Sequence, residues 1–415
     1  MPKRIISKSC RIEVVCIGSE LLYDRINTDI NIISGILGRA GFSISRCVIA
    51  GDDRKEIMDA VGSSVERSRI TFVTGGLGPT SDDITKESIA ELLRRKLIFS
   101  EEIWDGICRR FYARGVKNIP EINKKQAYAV EGSEILKNEV GTAPGLLIKE
   151  GEKTIVILPG PPVELAPMAE QYVKKLKREK KSSVIKIRRF GISGIPESAV
   201  EEEVNPILKN YGAKYTILAH PQMIEILISS DIAPAKLRDF ERRLKKRFGD
   251  GYLGVNPPSL PEILAGLLKR KKLTAAFAES CTGGLAGKLI TDIPGSSDFF
   301  RGSFVVYGNI LKRRILKVPK TVIKKYGAVS EQTAMHMAKG AKKAGKSEVS
   351  LSITGIAGPS GGSEEKPVGL VCIGIGMPKN RFYAYKFLFS GNRERIRERA
   401  VYQGFDLLRK HLNEK

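Results

Sequence analysis

Short apolar runs alternate along the chain with longer amphipathic segments, and glycine-rich turns stand between many of them. The short runs predict strands, and the amphipathic segments with helical spacing predict helices. Strands that alternate with helices are typical of α/β domains. Outside the middle of the chain, strands are predicted at residues 12–16, 44–50, 70–73 and 273–277, and helices at residues 85–95, 285–293 and 331–344.

The middle of the chain predicts a small α+β domain. Its order is strand, helix, strand, strand, helix, at residues 184–190, 196–209, 213–218, 223–229 and 234–248. This order resembles a KH-like domain. Residues 191–195, before the first helix, do not provide the GXXG loop that RNA-binding members use. The predicted role of this domain is therefore that of a connector or a dimer contact.

Two segments with linker composition separate the middle domain from its neighbours. A basic run ends at Lys181, and residues 255–261 contain paired prolines, which disfavour helices and inner strands. The predicted domains are residues 1–180, 183–255 and 260–415. A chain of 415 residues is too long for one ordinary core, which agrees with a multidomain protein.

Composition is that of a soluble globular protein, with 42% hydrophobic and 28% charged residues. Apolar runs are too short for a membrane helix or a signal peptide, so we expect a cytoplasmic protein without a membrane partner. The six cysteines are scattered and have no histidine at ligand spacing. This distribution argues against structural zinc and against a disulfide framework.

The net charge of +24 raises the question of nucleic-acid binding. However, the lysines and arginines are spread over the whole chain, and the aromatic residues, 7% of the total, are not interleaved with the basic runs. We therefore expect only nonspecific affinity for nucleic acid, as a side effect. A positive field also attracts anionic nucleotides.

Nucleophilic side chains occupy the turn between the predicted strand 273–277 and the predicted helix 285–293. Ser280, Cys281 and Thr282 are followed by Gly283 and Gly284, which are expected to leave backbone N–H groups free to face an oxyanion or a phosphate. A plain N-cap is the alternative role for the hydroxyl side chains. Cys281 is a rival nucleophile, but no neighbour is expected to lower its pKa, and its default role is a small buried residue.

Five further segments strengthen the prediction of a catalytic site. They are Tyr-Gly-Asn-Ile-Leu-Lys at 307–312, Gly-Ala-Val-Ser-Glu at 327–331, a glycine-rich stretch at 354–362, Lys-Pro-Val-Gly at 366–369 and Ser-Gly-Asn-Arg at 390–393. In this order and spacing, residues 260–412 resemble the C-terminal domain of the CinA family of competence/damage-inducible proteins. The resemblance implies a CinA-type α/β domain that hydrolyses the amide of nicotinamide mononucleotide without a cofactor.

The general base is predicted to be a residue other than histidine. A Ser-His-Asp hydrolase needs a histidine near its serine, and the chain has only His220, His336 and His411, none of which has a suitable setting. The family is described as a Ser/Lys hydrolase, and the matching positions are Ser280 and Lys312. On the sequence alone, Lys312 also fits a surface lysine.

The same resemblance assigns residues to the substrate. Arg393 suits a phosphate, because its guanidinium can donate two parallel hydrogen bonds to one anion; a solvated charge at a helix start is its alternative role. The residues carried over as substrate-binding or orienting are Tyr307, Thr354, Gly355, Arg393, Gly283 and Gly284.

A second glycine-rich turn lies in the N-terminal part. Residues 74–83 read Thr-Gly-Gly-Leu-Gly-Pro-Thr-Ser-Asp-Asp and precede the predicted helix 85–95. Such a turn can cradle a phosphate, and adjacent aspartates offer oxygen ligands to a divalent metal; a tight turn without a ligand is the alternative. Residues 10–175 resemble the molybdopterin-binding-type domain at the N-terminus of full-length CinA proteins.

This second resemblance implies a three-layer α/β domain with metal-dependent ADP-ribose pyrophosphatase activity. The expected ion is Mg²⁺, Mn²⁺ or Co²⁺. The chain departs from the family pattern at Asn27-Thr28-Asp29, where the acid and the amide have exchanged places. Candidate nucleotide-binding residues are Gly75, Gly76, Gly78, Thr80 and Asn123, and candidate metal ligands are Glu20, Asp82, Asp83 and Glu164.

Together these features predict a homodimeric, three-domain hydrolase of pyridine-nucleotide salvage. Its partners would be small pyridine nucleotides and ADP-ribose. The rival interpretation, from a different class, is a regulatory or scaffold protein that binds nucleotides only to sense them. A serine–lysine pair distinguishes the two, because a pure binding protein has no need of one.

Overall fold

The structure is a computed structural model that describes residues 11–40, 42–179, 187–229 and 232–414. The chain divides into two compact units, Met1–Ile187 and Arg188–Lys415. Both units combine helices with sheets, which confirms the predicted multidomain α/β class. None of the helices in the described ranges has both the length and the apolar character that crossing a membrane requires.

The first unit is built on a six-stranded sheet. Its elements are β1 (Ile12–Ile17), α1 (Glu20–Tyr23), α2 (Asp29–Ala40), β2 (Ile44–Ala50), α3 (Arg54–Arg67), β3 (Ile70–Thr74), α4 (Thr85–Leu92), β4 (Leu97–Phe99), α5 (Glu101–Ala113), a 3₁₀ helix (Glu121–Ala127), β5 (Tyr128–Val130), β6 (Glu134–Leu136), β7 (Gly145–Glu150), β8 (Lys153–Leu158) and α6 (Pro162–Glu179). The strand order is β2-β1-β3-β8-β7-β6, in which the first four strands are parallel. Strands β4 and β5 form a separate pair.

Alternation along β1 explains why helices cover both faces of this sheet. Val14 and Cys16 pack in the core that contains residues of α2 and α6, whereas Val15 and Ile17 pack in the core that contains residues of α3 and α4. This is the predicted three-layer arrangement. Strand β2 has its predicted bounds, but α4 ends three residues early, because Arg94 takes a left-handed φ of 54°.

The second unit begins with the predicted small α+β domain. It contains β9 (Ile187–Ile192), α7 (Glu197–Asn210), β10 (Tyr215–Ala219), β11 (Ile224–Ser229), α8 (Pro234–Phe248), a 3₁₀ helix (Gly249–Gly251) and β12 (Tyr252–Val255). The strand order is β10-β11-β9-β12. Strand β12 was not predicted, and it pairs antiparallel with β9, which completes a β-α-β-β-α-β order of the ferredoxin-like kind.

Of the two predicted linkers, the second is shorter than the sequence suggested, and the first falls on residues outside those that the structure describes. The basic run before Lys181 continues helix α6 as far as Glu179, and residues 180–186 lie outside the described residues. At the second linker, β12 ends at Val255 and the next helix begins at Leu260. The paired prolines therefore occupy a connection of only a few residues.

The remainder of the second unit is a five-stranded sheet with helices on both faces. Its elements are α9 (Leu260–Lys271), β13 (Ala275–Glu279), α10 (Leu285–Thr291), a 3₁₀ helix (Ser296–Asp298), β14 (Phe300–Val305), α11 (Asn309–Arg314), α12 (Lys320–Tyr326), α13 (Glu331–Ala344), β15 (Val349–Gly355), β16 (Leu370–Met377), β17 (Arg381–Leu388) and α14 (Arg393–Asn413). The strand order is β14-β13-β15-β16-β17. Helices α9 and α14 share one core with β13, and α13 shares the other.

Strand β13 begins two residues later than predicted. Leu273 lies just beyond α9 and closes its end, since its N–H donates to the carbonyl of Leu268 (3.0 Å). Helix α13 has its predicted bounds. The shift of β13 is important for function, because it makes Glu279 the last residue of the strand and Ser280 the first residue beyond it.

Candidate active site

Ser280 is held at the carboxyl end of the parallel strands of the second unit. It is only 7% exposed, and its N–H donates to the carbonyl of Ile353 in the neighbouring strand β15 (3.0 Å). Gly283 and Gly284 then turn the chain into α10 with φ angles of 60° and 95°, which favour glycine. Ser280 therefore lies on a sharp strand-to-helix turn, as predicted.

Lys312 is buried against Ser280. Its Nζ lies 2.9 Å from Ser280 Oγ and also donates to the carbonyls of Val306 and Tyr307, both at 2.9 Å. The side chain is 1% exposed, and this burial lowers the pKa of Lys312 to about 8. The alternative of a surface lysine is therefore wrong.

This geometry would allow a neutral amine to take a proton from the serine. A neutral amine has two N–H groups and one lone pair. The carbonyls of Val306 and Tyr307 accept the two N–H groups, so the lone pair is left for the hydroxyl proton of Ser280. In the described part of the chain no histidine bonds to Ser280; His411, for example, lies 2.6 Å from the Tyr385 hydroxyl.

The setting of Cys281 disfavours it as the rival nucleophile. It is buried, and burial raises the pKa of its thiol to about 12. Because the thiolate is the reactive form, the thiol beside Ser280 has the predicted default role of a small buried residue.

The expectation of free amide groups at the glycines of this turn is wrong. The Gly283 N–H donates to the carbonyl of Ser280 (3.2 Å), and the Gly284 N–H donates to the carboxylate of Glu279 (3.0 Å). Sequence reasoning did not single out Glu279 as the partner of the Gly284 N–H. It lies five residues before the N-cap position of α10, outside any local capping pattern, so no sequence signal indicated it.

Three of the predicted substrate residues lie in two places: Arg393 beside Tyr307, and Thr354 at the end of β15. Arg393 and Tyr307 lie together: Arg393 Nη2 is 3.5 Å from the Tyr307 hydroxyl, and Nη1 donates to the carbonyl of Gly358 (2.8 Å). Tyr307 is 62% exposed, so its ring can meet a ligand. At the end of β15, Thr354 is buried and its hydroxyl donates to the carbonyl of Ala328 (2.9 Å).

Gly355 has a packing role. A Cβ at this position would lie 2.7 Å from the Val371 side chain and 2.8 Å from the carbonyl of Leu370. Any larger residue would push β15 away from β16. The structure thus gives a steric reason for this glycine, which was assigned to the substrate on the resemblance alone.

The first unit contains a separate cavity of 340 Å³ beyond the carboxyl ends of β1, β3 and β8. This is the usual position for ligands of parallel α/β sheets. Gly75 cannot be replaced without movement, since its φ is 93° and a Cβ would lie 2.1 Å from the carbonyl of Ile17. The predicted residues that line the cavity are Gly75, Gly76, Gly78, Glu20, Asp82, Asp83 and Glu164.

Thr80 and Asn123 are not among the described residues that line this cavity. The Thr80 N–H and hydroxyl donate to the carboxylate of Asp83, and the Asn123 side chain donates to the carbonyl of Pro120 (3.0 Å). Hydrogen bonding by Thr80 also lowers the pKa of Asp82. Both predicted residues therefore support the turns around the cavity from outside its lining.

Among the lining residues that were not proposed from the sequence, Asp29 and Gln126 are polar and buried. Asp29 is 8% exposed, and burial raises the pKa of its carboxyl. Gln126 is 3% exposed, and its Oε1 has no hydrogen-bond partner among the described residues. The exchanged Asn27-Thr28-Asp29 sequence was a signal for Asp29. Gln126 belongs to the motif series that carries the resemblance to the molybdopterin-binding-type domain, but it was not proposed as a site residue.

The four candidate metal ligands do not form a compact cluster. In the ranges that the structure describes, no three histidine, cysteine, aspartate or glutamate side chains come close enough to hold a metal ion. Glu20 pairs with Arg25 (3.6 Å), and Glu164 accepts from Asn138 (2.7 Å). Mg²⁺ is commonly bound by one or two carboxylates together with substrate phosphates. The metal requirement therefore stays a prediction.

Comparison with known proteins decides the family. The family model described as "CinA C-terminal domain" matches residues 258–412, and that described as "Probable molybdopterin binding domain" matches residues 13–178. A relative in Caldicellulosiruptor bescii, named among the competence-damage inducible proteins, is 41% identical over 411 residues, which cover 96% of this chain and 98% of the relative. The chain belongs to the CinA family.

A second relative agrees with this membership. The CinA-like protein of Dictyoglomus thermophilum is 40% identical over 410 residues, 97% of this chain and 99% of that protein. A solved CinA superfamily protein from Enterobacter cloacae is 32% identical, with a TM-score of 0.36, and covers 37% of this chain and 90% of its own. The similarity to the Caldicellulosiruptor and Dictyoglomus proteins extends over both units.

Proposed function

We propose that the C-terminal site of this CinA-family chain hydrolyses the carboxamide of nicotinamide mononucleotide to nicotinic acid mononucleotide and ammonia. The observation that carries the proposal is the buried contact between Lys312 and Ser280, together with the lowered pKa of Lys312. A buried amine without a paired carboxylate is costly to maintain, and a general base is a role that requires it.

The first half of the reaction acylates the serine. Ser280 Oγ attacks the carboxamide carbon while its proton passes to Lys312 Nζ. The C–N bond then breaks, and the proton on Lys312 goes to the departing nitrogen, which leaves as ammonia. Two fixed carbonyl acceptors, those of Val306 and Tyr307, keep the amine directed at the serine throughout.

The second half releases the product. Water attacks the ester carbonyl and gives its proton to the neutral amine of Lys312, and the ester C–O bond to Ser280 breaks as Oγ regains a proton. The nicotinate carboxylate is set free. Neither half of the proposed reaction uses a metal ion or an organic cofactor.

Arg393 and Tyr307 are proposed to hold the nucleotide. The guanidinium of Arg393 suits the 5′-phosphate, and the exposed ring of Tyr307 offers a face to the pyridine or the ribose. The expected effect of losing Arg393 is a higher KM, because the phosphate is remote from the bond that breaks.

The test is ammonia release from nicotinamide mononucleotide, with formation of nicotinic acid mononucleotide followed in parallel. Wild type and Cys281→Ala should turn over, and Ser280→Ala should lose activity by several orders of magnitude. If wild type binds the nucleotide but releases no ammonia, the rival role as a nucleotide-sensing regulatory or scaffold protein replaces this proposal.

A second candidate function belongs to the first unit, namely divalent metal-dependent cleavage of ADP-ribose. It is favoured by the 340 Å³ cavity, whose lining combines backbone at Gly75 and Gly76 with the carboxylates of Asp82 and Asp83. A free acceptor on Gln126 is available to a ligand donor. Mg²⁺, Mn²⁺ or Co²⁺ would neutralise the pyrophosphate when bound.

The full chain offers a clean test of this second function. Asp82→Asn and Asp83→Asn should weaken AMP release from ADP-ribose and leave ammonia release unchanged. Binding of ADP-ribose without AMP release under any of the three ions would instead make the first unit a nucleotide-binding module.

A further inference from the structure

Glu279, whose carboxylate is buried, immediately precedes Ser280 in the chain. Glu279 is the last residue of β13 and is fully buried. Its Oε2 accepts from the N–H groups of Gly284 and Ala286, both at 3.0 Å, and its Oε1 accepts from the N–H of Gly287 (2.9 Å) and the hydroxyl of Ser303 (2.6 Å). Four donors thus surround one carboxylate.

Those four hydrogen bonds offset the cost of burying the carboxylate. An ionised carboxylate without partners in a protein interior is very costly, whereas charge-assisted hydrogen bonds offset that cost. Across the described residues no lysine, arginine or histidine forms an ion pair with Glu279. Three of its donors are backbone groups at the start of α10, where the helix dipole favours negative charge.

The same residue connects the two halves of the catalytic pair. Gly284 ends the turn that begins at Ser280, and Ser303 lies on the neighbouring strand β14. The carbonyl of Glu279 accepts from the N–H of Val306 (2.8 Å), and the carbonyl of Val306 accepts from Lys312 (2.9 Å). Glu279 therefore fixes the serine turn and the segment that holds the lysine to each other.

We propose that Glu279 is a positioning residue, whose carboxylate holds the Ser280 turn against β14 so that Ser280 Oγ and Lys312 Nζ remain in hydrogen-bond contact. The inference rests on the proposed function only in taking Ser280 as the nucleophile. Glu279 touches no reacting atom, because all four of its side-chain bonds are made to protein groups.

Its position also restricts where the substrate anion lies. The amides of Gly284, Ala286 and Gly287 are already bonded to a carboxylate, and an added anion there would meet a like charge. The start of α10 is thereby excluded as the phosphate site. The phosphate is directed to Arg393 instead.

The principal variant is Glu279→Gln, which preserves volume but turns an NH₂ group toward backbone donors. We expect kcat to fall about 100-fold at unchanged KM, since a small displacement of the reacting groups costs this much. Ser303→Ala removes one of the four bonds and should lower kcat about 5-fold.

The matched control is Glu348→Gln. The Glu348 carboxylate accepts from the N–H of Thr274 (2.7 Å), just before the opposite end of β13. This change alters an exposed carboxylate that bonds to the residue just before β13, at the end of the strand away from Ser280. Its kcat should equal that of wild type. A loss in Glu348→Gln equal to that in Glu279→Gln would overturn the proposal, because it would indicate general weakening of the strand.

A substrate-independent readout separates this inference from the proposed function. A fluorophosphonate labels an activated serine: Ser280 Oγ bonds to phosphorus, fluoride leaves, and the proton goes to Lys312. Followed by intact mass, Glu279→Gln should label to full extent with a rate constant about 100-fold lower. A variant that is only partly unfolded would instead label to a smaller extent at the wild-type rate.

The possible results are distinguishable. If wild type releases no ammonia from the nucleotide but Glu279→Gln slows labelling of Ser280, the proposed function fails and the positioning role stands. If Glu279→Gln labels and turns over at the wild-type rates, the positioning role is overturned, whatever the substrate is.

Discussion

At the scale of single residues, burial of Lys312 sets the chemistry of the C-terminal site. The run Lys312-Arg313-Arg314 has the composition of a solvated helix face, yet Lys312 is buried and its two neighbours are exposed. Desolvation disfavours the ammonium form, so the neutral amine becomes accessible near neutral pH.

The pH profile of turnover follows from this burial. Only the neutral amine accepts the serine proton, and the pKa of Lys312 is lowered to about 8. The rate should therefore rise as the pH increases through about 8, level off above it and fall as the pH drops below it. Ammonia release measured from mildly acid to alkaline pH checks this, and a flat profile would contradict it.

Lys312→Met is the corresponding substitution. It should abolish turnover while nucleotide binding remains close to that of wild type, because the amine acts on the serine and not on the ligand. Arg313→Met, one position along the same helix and exposed, is the control and should keep wild-type turnover. Equal losses in both variants would show that charge on α11, rather than the Lys312 base, matters.

At the scale of elements, the turns that end the parallel strands create both candidate sites. In the first unit, Gly75 follows β3 and packs against the carbonyl of Ile17 at the end of β1. The close approach brings the ends of two strands together at the cavity. A side chain at this position would have to separate them.

Gly75→Ala should destabilise the first unit by about 2–4 kcal/mol, from a left-handed φ and from a steric clash. Gly151→Ala is a matched control, since Gly151 also has a positive φ, 58°, but nothing lies within 4 Å of an added Cβ. Its cost should be about 1 kcal/mol. Urea unfolding followed by the fluorescence of the single tryptophan, Trp104, measures both. Equal costs would refute the steric argument.

The elements also show how far the sequence could predict this fold. Strand β2 and helix α13 have their predicted bounds, because each has a clear period and clear breakers at both ends. Strand β12 was missed because the paired prolines after Val255 dominated the interpretation of that segment. Its formation depends on pairing with β9, a contact about sixty residues away that no local pattern records.

Individual residues of the candidate site could be predicted from the sequence, but the hydrogen bonds and burial that join them could not. The strand-to-helix turn brought forward Ser280, and the resemblance to the CinA family brought forward Lys312 and Arg393. The burial of Lys312, the commitment of the glycine amides and the role of Glu279 all depend on tertiary contacts across β13 and β14. Such contacts have no signature in a single sequence.

At the scale of the whole molecule, a buried charge cluster joins the two parts of the second unit. Asp406 of α14 is 2% exposed and accepts from the hydroxyl of Ser193 (2.8 Å) and from Arg409 (2.7 Å). Arg409 in turn donates to the carbonyl of Asp250 (2.6 Å). Ser193 and Asp250 belong to the small α+β domain, so its sheet is tied to the helix that carries Arg393 at its other end.

Asp406→Asn should destabilise the second unit by about 3–5 kcal/mol, because Arg409 would be left buried without its counter-charge. Asp292→Asn removes an exposed ion pair with Lys288 and should cost less than about 1 kcal/mol. Urea unfolding followed by far-UV circular dichroism compares the two. Similar costs would contradict a buried clamp between these parts.

The central claim is that Ser280 becomes acylated by the nucleotide, and the most direct measurement is the mass of the protein during turnover. Wild type mixed with nicotinamide mononucleotide, quenched in acid and digested, should carry the nicotinoyl nucleotide on Ser280, since an ester to serine survives acid. Ser280→Ala should carry none and should release no ammonia. An adduct on Cys281 or on any other residue, or normal ammonia release by Ser280→Ala, would contradict the account.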